Sequence, residues 1–244
     1  MTISISTPVD AGVTAHAGRA ERDGFAVLRR ADLAGLLSEP DLEEFRKAWE
    51  DLPVDTELAG GGTYRERRYG KLRVRVGAGG VTFEALPHAT FRQDVIPLWA
   101  GRNRVFAPIT PEVLEHPGMT ALVGFDARLA TALSGRTEWE IGVHLVRIIA
   151  RRGAEGLPTP EGRHRDGHAY VGMHLVRRDG VTGGRSTIYP NDGGEPVSTT
   201  LTDPLDSVFV DDAAVTHEVT PTVPAAATGV RDMLLVDVNP PAGT

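Results

Sequence analysis

The chain contains no cysteine, and this absence removes several kinds of chemistry. Disulfide bonds, zinc sites built on thiolates, iron–sulfur clusters and a cysteine nucleophile are all excluded. Aromatic residues make up only 6% of the 244 residues. A continuous apolar run of about 18 residues, the length typical of a transmembrane helix, is also missing. A metal site in this chain therefore has to use histidine and carboxylate ligands.

Basic residues are outnumbered, and they are scattered along the chain. The 26 Lys and Arg residues face 33 Asp and Glu residues, which gives a net charge of −7. They do not gather into the basic patch or stripe that marks a nucleic-acid-binding surface. The N-terminal residues lack the basic start and the apolar run of a secretory signal. We therefore expect a cytoplasmic protein that binds neither nucleic acid nor a membrane.

The pattern of apolar and turn residues predicts a single, mainly β domain over residues 1–244, with flanking helices and a loosely ordered start at residues 1–20. One helix is predicted after Ser38, ending at Pro53, and a second begins at Thr110, breaks near Pro117 and stops at Gly135. Short strands separated by Gly, Pro, Asn and Asp turns indicate a β-sandwich or barrel. The predicted strands span residues 24–28, 72–76, 81–85, 90–96, 104–107, 139–150, 164–177, 185–190, 197–201, 207–211, 215–220 and 231–238.

His164 and Asp166 form an H-x-D pair at the start of the predicted strand 164–177. Because side chains alternate along a strand, both residues would project from one face. His217 lies in strand-like sequence 51 residues after Asp166 and supplies a third ligand. Two imidazoles and one carboxylate are the ligand set of the facial triad of non-haem Fe(II) oxygenases. The pattern therefore predicts a metal site with open coordination positions.

Arg231 begins a predicted strand in which it shares a face with Met233 and Leu235, so its guanidinium should point into the interior. A buried arginine without an anion is costly, whereas bidentate pairing with a carboxylate offsets much of that cost. The anion is either a structural Asp or Glu, or a carboxylate of a dicarboxylate co-substrate.

Three further residues are candidates for substrate binding. His168 and Tyr170 would share the strand face of the H-x-D pair and line a pocket beside the metal. Arg147 lies among apolar residues of the strand 139–150 and needs an anion, from the protein or from a substrate. A solvated sheet face would explain the polar positions equally well.

Other interpretations of the same residues stay open. An H-x-D pair arises easily by chance in a chain with eight histidines, and many strand histidines are structural. The three ligands plus a water would also suit a zinc hydrolase with Glu161 or Glu218 as base. A degenerate site would leave a non-catalytic jelly-roll binding protein. The H-R-D sequence also imitates a protein-kinase loop, but Val171 stands where that motif needs Asn.

The order of the motifs resembles the bacterial 2-oxoglutarate/Fe(II) dioxygenase family that contains isoleucine 4-hydroxylase. The resemblance runs from about Gly24 to Val238. His168, directly after H-R-D-G, departs from the family pattern, in which an acidic or small polar residue is expected. The matching segments are residues 161–167 (EGRHRDG), 183–186 (GGRS), 211–212, 217, 231–232, 65–69, 91–93 and 104–108.

This resemblance implies a double-stranded β-helix, the jelly-roll of cupin-like proteins. It implies that His164, Asp166 and His217 bind Fe(II), and that Arg231 binds the distal carboxylate of the co-substrate 2-oxoglutarate. The implied reaction uses O2 to hydroxylate a C–H bond of a free L-amino acid or an amino-acid-like metabolite. Succinate and CO2 would be released.

Overall fold

A computed structural model describes residues 2–5, 10–58 and 61–241 of the chain. Antiparallel strands are the main regular structure of the described residues, as the alternating sequence predicts. The helices are α1 (Asp10–Asp23), α2 (Glu39–Arg46), α3 (Pro111–Leu114) and α4 (Pro117–Ser134). The strands are β1 (Thr2–Ile5), β2 (Phe25–Leu28), β3 (Arg65–Gly77), β4 (Gly80–Ala85), β5 (Ala107–Pro108), β6 (Glu138–Arg151), β7 (Tyr170–Asp179), β8 (Val181–Gly183), β9 (Arg185–Pro190), β10 (Val197–Thr200), β11 (Ser207–Asp211), β12 (Val215–Val219), β13 (Thr222–Pro224) and β14 (Thr228–Asn239).

Two sheets face each other. The large sheet has the order β1-β4-β3-β6-β14-β7-β11-β2, with β5 beside β3, and the small sheet has the order β10-β9-β12. Ile188 and Val215 of the small sheet pack in one buried cluster with Val171 and Met233 of the large sheet. Apolar side chains from two facing sheets form such a core because each sheet buries one face. The predicted jelly-roll is confirmed.

Helices cover the other face of the large sheet. Leu122, Phe125 and Leu129 of α4 recur at helical spacing, and all three are buried in a second apolar cluster. The caps that the sequence predicts are present: Ser38 Oγ accepts a hydrogen bond from the backbone N–H of Asp41 (3.2 Å), and Gly135 ends α4 with φ 72°. None of the described helices combines the length and apolarity that crossing a bilayer requires.

Within the N-terminal segment, for which the sequence predicts no helix, the structure has helix α1 from Asp10 onward. Helix α1 buries Val13 and Ala17, and it packs against α4 and β2. Its glycines, Gly12 and Gly18, lower its intrinsic helix propensity, so the helix depends on this tertiary packing rather than on its sequence alone. Residues 1 and 6–9 of the same segment lie outside the described residues.

Two predicted strands near the middle of the chain are mostly absent. Residues 90–96 and 104–107 meet only in a single bridge between Phe91 and Arg104, followed by the short β5. Asp94 accepts a hydrogen bond from the backbone N–H of Gly101 (2.9 Å), which holds the intervening residues as a turn. The first predicted long helix is also shorter than expected, because α2 ends at Arg46 and continues only as a 3-10 turn.

The segment 164–177 is not one continuous strand. His164 pairs with His217 through two backbone hydrogen bonds (3.0 and 2.9 Å), and β7 begins only at Tyr170. Gly167 between them has φ +88°, a left-handed conformation that breaks strand alternation. The chain thus crosses from the small sheet to the large sheet at these residues.

Candidate active site

His164, Asp166 and His217 meet at one end of the space between the two sheets. One ligand atom from each residue lies within 4.8 Å of the other two. The Nε2 atoms of His164 and His217 are each 3.5 Å from an oxygen of the Asp166 carboxylate. The sequence therefore identifies three residues that come together, although a backbone bridge and a crossover loop position them rather than a common strand face.

The charges around the three residues keep Asp166 ionised, whereas His164 has to release a proton before its Nε2 atom can bind a metal ion. Nδ1 of His164 lies 2.8 Å from the carbonyl oxygen of Gly162, which leaves Nε2 facing Asp166. Burial opposes charge at both groups, but their hydrogen bond and mutual attraction raise the pKa of His164 to about 9 and lower that of Asp166 to about 2. Burial also lowers the pKa of His217. Asp166 is therefore a carboxylate that a metal ion can share with two imidazoles.

Two groups of hydrogen bonds hold Asp166 in place. The buried carboxylate of Asp212 accepts from the backbone N–H groups of Asp166, Gly167 and His168 at 2.9, 2.7 and 3.1 Å. The side-chain amide of Gln93 donates to Asp166 Oδ1 at 2.8 Å. The carbonyl oxygen of that same Gln93 amide accepts from Arg104. These contacts leave the second oxygen of Asp166, Oδ2, for a metal.

Arg231 lies where the alternation of β14 predicts, on the face of Met233 and Leu235, and it lines the same cavity as the three ligands. Its side chain is buried, and within the described residues no carboxylate pairs with it. Its Nε atom has no hydrogen-bond partner there either. Burial and the charge of Arg178 lower the pKa of Arg231 to about 10. A buried guanidinium that lacks a carboxylate partner is suited to bind an anionic ligand.

The cavity itself lies between the sheets and is partly open to solvent. Apolar side chains from the central strands, among them Ile148 and Met173, form part of its wall. Its remaining wall is unusually rich in charge for a buried space. Besides Asp166, the charged residues that line it are Arg65, Arg67, Arg104, Arg231, Glu161 and Asp237.

A chain of buried polar contacts supports one wall of the cavity. Arg67 donates from Nε and Nη2 to Nδ1 of His144 (3.2 and 2.7 Å), and Nε2 of His144 lies 2.8 Å from Asp237. Burial and the charge of Arg67 lower the pKa of His144 to about 4, so the ring is neutral and can accept at Nδ1. Asp237 thereby keeps Arg67 oriented through the intervening imidazole.

The three residues predicted to bind substrate lie outside the cavity. Arg147 is on the helix-covered face of the large sheet, where it donates to both oxygens of Asp232 (2.7 and 2.8 Å). Tyr170 is on that face too, stacked on Phe209 with ring centroids 5.7 Å apart. His168 lies behind Asp237 at 3.3 Å and lines a smaller neighbouring pocket. The break in alternation at Gly167 explains the error at Tyr170, because it reverses the faces of β7.

The sequence contains a signal for two of the residues that line the cavity in place of Arg147, His168 and Tyr170. Arg65 and Arg67 are two apart on β3, so they share a face, and both are buried. Two arginines on the buried face of a strand need anions, just as Arg231 does. Gln93, Arg104 and Glu161 lie outside the long strands, and periodicity therefore carries no information about them.

Comparison with known proteins agrees with this geometry. The model of a family described as 2OG-Fe dioxygenase matches residues 46–237. The chain is similar to a solved bsmA homologue from Methylobium petroleophilum PM1, with 30% identity and a TM-score of 0.85 over 97% of this chain and 96% of that chain.

Two further solved structures share the fold at lower identity. IDO from Bacillus thuringiensis is 21% identical, with a TM-score of 0.76 over 93% of this chain and 95% of its own. The Fe(II)/α-ketoglutarate-dependent dioxygenase TqaL is 15% identical, with a TM-score of 0.72 over 96% of this chain and 90% of its own. No curated protein matches the sequence.

Proposed function

Because this chain belongs to the 2OG-Fe dioxygenase family, we propose that it hydroxylates a C–H bond of a free L-amino acid or of an amino-acid-like metabolite. As a member of the family it is an oxidoreductase that uses Fe(II), with 2-oxoglutarate and O2 as co-substrates. Succinate and CO2 would leave together with the hydroxylated product. The zinc hydrolase and the non-catalytic binding protein, both open from the sequence alone, have no comparable support.

We assign His164, Asp166 and His217 as the Fe(II) ligands. Two imidazole nitrogens and one carboxylate oxygen within 4.8 Å of one another fit the facial triad in atom type and spacing. Bound Fe(II) would supply the activation of O2 and the oxidative decarboxylation of 2-oxoglutarate. The role of the chain is to hold the ligands: Asp212 fixes the loop of Asp166, and Gln93 orients its carboxylate.

The buried Arg231 is the observation that carries the co-substrate assignment. It lines the metal cavity without a carboxylate partner in the described part of the chain, so a dicarboxylate would neutralise a charge that is otherwise costly. A guanidinium fork also fixes the orientation of a carboxylate by bidentate hydrogen bonding. We therefore assign Arg231 to the distal carboxylate of 2-oxoglutarate.

Two features support an amino-acid-like substrate. The motif order over most of the chain resembles hydroxylases of free amino acids. In addition, the cavity contains charges of both signs that the metal and the co-substrate do not account for, among them Arg65, Arg104 and Glu161. A small zwitterion complements such a wall, whereas an apolar substrate would leave these groups unpaired.

The proposal is tested by a succinate-release screen in which the enzyme, Fe(II), 2-oxoglutarate and O2 are combined with each proteinogenic L-amino acid and with the common non-proteinogenic amino acids. We expect one amino acid, or a small group of them, to stimulate succinate formation, and omission of Fe(II) or O2 to abolish it. Asp166→Ala should lose turnover. Undiminished turnover in metal-loaded Asp166→Ala would overturn the metal assignment, and the absence of stimulation by any amino acid would overturn the substrate class.

A further inference from the structure

We propose that Arg65 and Arg104 form a second anion site in the cavity, separate from Arg231. This second site binds the carboxylate of the substrate, while Glu161 binds the ammonium group of the substrate. This inference rests on the proposed function and deepens it, because it names the residues that select a zwitterion.

The two arginines are buried and incompletely paired. Arg65 is 5% exposed and Arg104 is 1% exposed. Arg65 donates from Nε to Asp55 (2.7 Å), but its Nη2 atom has no hydrogen-bond partner among the described residues. Arg104 donates from Nη2 to Gln93, and its Nε atom also has no partner there. Buried N–H groups of charged residues are costly to leave unpaired, so both arginines have donors ready for a ligand.

Positive charge accumulates at this wall. Burial, together with the charges of Arg65 and Arg104, lowers the pKa of Arg67 to about 9, and burial with the charge of Arg65 lowers that of Arg104 to about 10. Arg67 is bonded to the neutral ring of His144, which cancels none of this charge. Asp55 pairs with Arg65, so the cluster of three arginines has more positive charge than its direct partners neutralise.

Aromatic rings hold the guanidinium groups in fixed planes. The Arg104 guanidinium lies 4.4 Å from the centroid of the Trp99 ring and 4.9 Å from that of Phe91, and Arg67 lies 4.2 Å from that of Phe106. Stacked guanidinium groups lose less conformational entropy when they bind a carboxylate, because their orientation is already set. The wall is therefore preorganised for an anion.

This second site is distinct from Arg231. On the sheet, Arg65 pairs with Ile148 of β6, and Ile148 pairs on its other side with Arg231. Strands lie about 4.8 Å apart, which places the backbones of Arg65 and Arg231 about 10 Å from each other. Two carboxylates from two different molecules can occupy these positions at once.

Glu161 supplies the opposite charge. It lines the same cavity, and its Oε2 atom is buried without a hydrogen-bond partner in the described part of the chain. Its Oε1 atom is 3.5 Å from His164 Nε2, so the carboxylate lies beside the metal ligands. Arg65, Arg104 and Glu161 all line this one cavity. An α-ammonium and an α-carboxylate, one at each end, would satisfy all of them.

The test measures binding to the enzyme loaded with Fe(II) and 2-oxoglutarate in the absence of O2. The proteinogenic L-amino acids are titrated by calorimetry, and the tightest binder is then compared with its analogues that lack the ammonium or the carboxylate. We expect the amino acid to bind best and the amine alone to bind least. Trp99 fluorescence should follow the carboxylate-bearing probes, since its ring lies against Arg104.

Three variants separate the roles. Arg65→Lys and Arg104→Lys keep the positive charge beside its present partners but lose the planar guanidinium. Each variant should therefore bind both carboxylate-bearing probes about 10- to 100-fold more weakly. Glu161→Gln should lower the affinity for the amino acid by a similar factor and leave the affinity for the carboxylate-only analogue unchanged. Arg75→Lys, an exposed arginine on the same strand β3, is the matched control and should change neither.

The outcomes distinguish this inference from the proposed function. Unchanged 2-oxoglutarate affinity in Arg65→Lys, whose present partner is Asp55 rather than the Gln93 that orients Asp166, shows that this protein is folded and that Arg231 acts separately. If 2-oxoglutarate binds but no amino acid does, or if the Arg65 and Arg104 variants bind the amino acid as tightly as the unaltered enzyme, the second site is wrong and the oxygenase assignment stands. Failure of 2-oxoglutarate itself to bind the Fe(II)-loaded enzyme would instead contradict the proposed function.

Discussion

Arg231 is the residue on which the co-substrate assignment depends. Replacing it with Met removes the guanidinium but keeps an apolar side chain among Met233 and Leu235, so the fold should persist. We expect Arg231→Met to raise the Kd of 2-oxoglutarate about 10- to 100-fold, because a hydrogen bond to a charged group contributes about 1.5–3 kcal/mol. Calorimetry without O2 measures this. Arg177→Met, an exposed arginine paired with Asp179, is the control, and equal affinity in the two variants would contradict the assignment.

Gln93 is a positioning residue for the metal site. Its amide donates to Asp166 Oδ1 at 2.8 Å and accepts from Arg104, so it fixes the plane of the metal-facing carboxylate. Gln93→Ala should lower Fe(II) affinity by about 10- to 100-fold, the usual cost of removing an outer hydrogen-bond partner of a metal ligand. Metal titration measures the affinity, and Gln93→Glu should not restore it because a carboxylate cannot donate. Unaltered Fe(II) affinity in Gln93→Ala would show that Asp212 alone positions Asp166.

Residue types and spacing were enough to predict that His164, Asp166, His217 and Arg231 lie around one cavity, but not which other charged residues line it. His164, Asp166 and His217 are recognisable because metal binding restricts the choice of side chain. Arg147 was assigned to the site because an arginine among apolar neighbours needs an anion, and the sequence does not show that Asp232 supplies it. The partner of a buried charge is set by the sheet register, which a single sequence does not display.

Helix α4 is tied to the large sheet by a buried polar link as well as by apolar packing. His174 on β7 lies 2.8 Å from Asp126 on α4 through Nε2 and 2.8 Å from Ser207 on β11 through Nδ1. All three side chains are inaccessible to solvent. Ser207, His174 and Asp126 are the residue types of a catalytic triad, but no substrate can reach these buried side chains. The hydrogen bond between His174 and Asp126 instead holds α4 against the large sheet.

This link explains a glycine at position 172. A Cβ there would lie 1.8 Å from Asp126 Oδ2, so Gly172→Ala has to displace the carboxylate from His174. We expect a loss of about 1–3 kcal/mol in the free energy of unfolding, the usual cost of leaving a buried polar group without its hydrogen-bond partner. Gly18→Ala, on the exposed face of α1 with no atom within 4 Å, should stabilise the protein by about 0.5–1 kcal/mol. Denaturant unfolding measures both, and equal effects would contradict the link.

At the level of elements, periodic segments were predictable and irregular ones were not. Caps and spacing identified α4 and its end at Gly135, because helix signals are local. Helix α1 was missed, since its stability comes from contacts with α4 and β2 rather than from its own residues. The crossover at Gly167 was missed because apolar and polar residues still alternate in the sequence on both sides of this glycine. The left-handed backbone of Gly167 reverses the faces in the structure, and the sequence pattern does not show this reversal.

Two large apolar clusters, one between the sheets and one beneath the helices, hold the described part of the molecule together, and Tyr69, Phe91 and Phe106 form a smaller third cluster. In the proposed site a metal would join His164, Asp166 and His217, none of which belongs to any of these clusters, so we expect chelation with EDTA to leave a folded protein. Adding Mn(II) and 2-oxoglutarate, each at about 100 times its Kd, should stabilise the fold by about 2.7 kcal/mol per ligand. For a chain of this size that corresponds to a rise of about 5–11 °C in Tm per ligand. Loss of far-ultraviolet circular dichroism on chelation would contradict this picture.

The central claim is that the cavity couples oxidation of 2-oxoglutarate to hydroxylation of an amino acid. The most direct measurement follows isotopically labelled O2 by mass spectrometry after reaction with Fe(II), 2-oxoglutarate and the amino acid that best stimulates succinate release. We predict one labelled oxygen atom in the amino acid and one in succinate, in equal amounts. Labelled succinate formed without any labelled amino acid, or product formed in the absence of O2, would contradict the account.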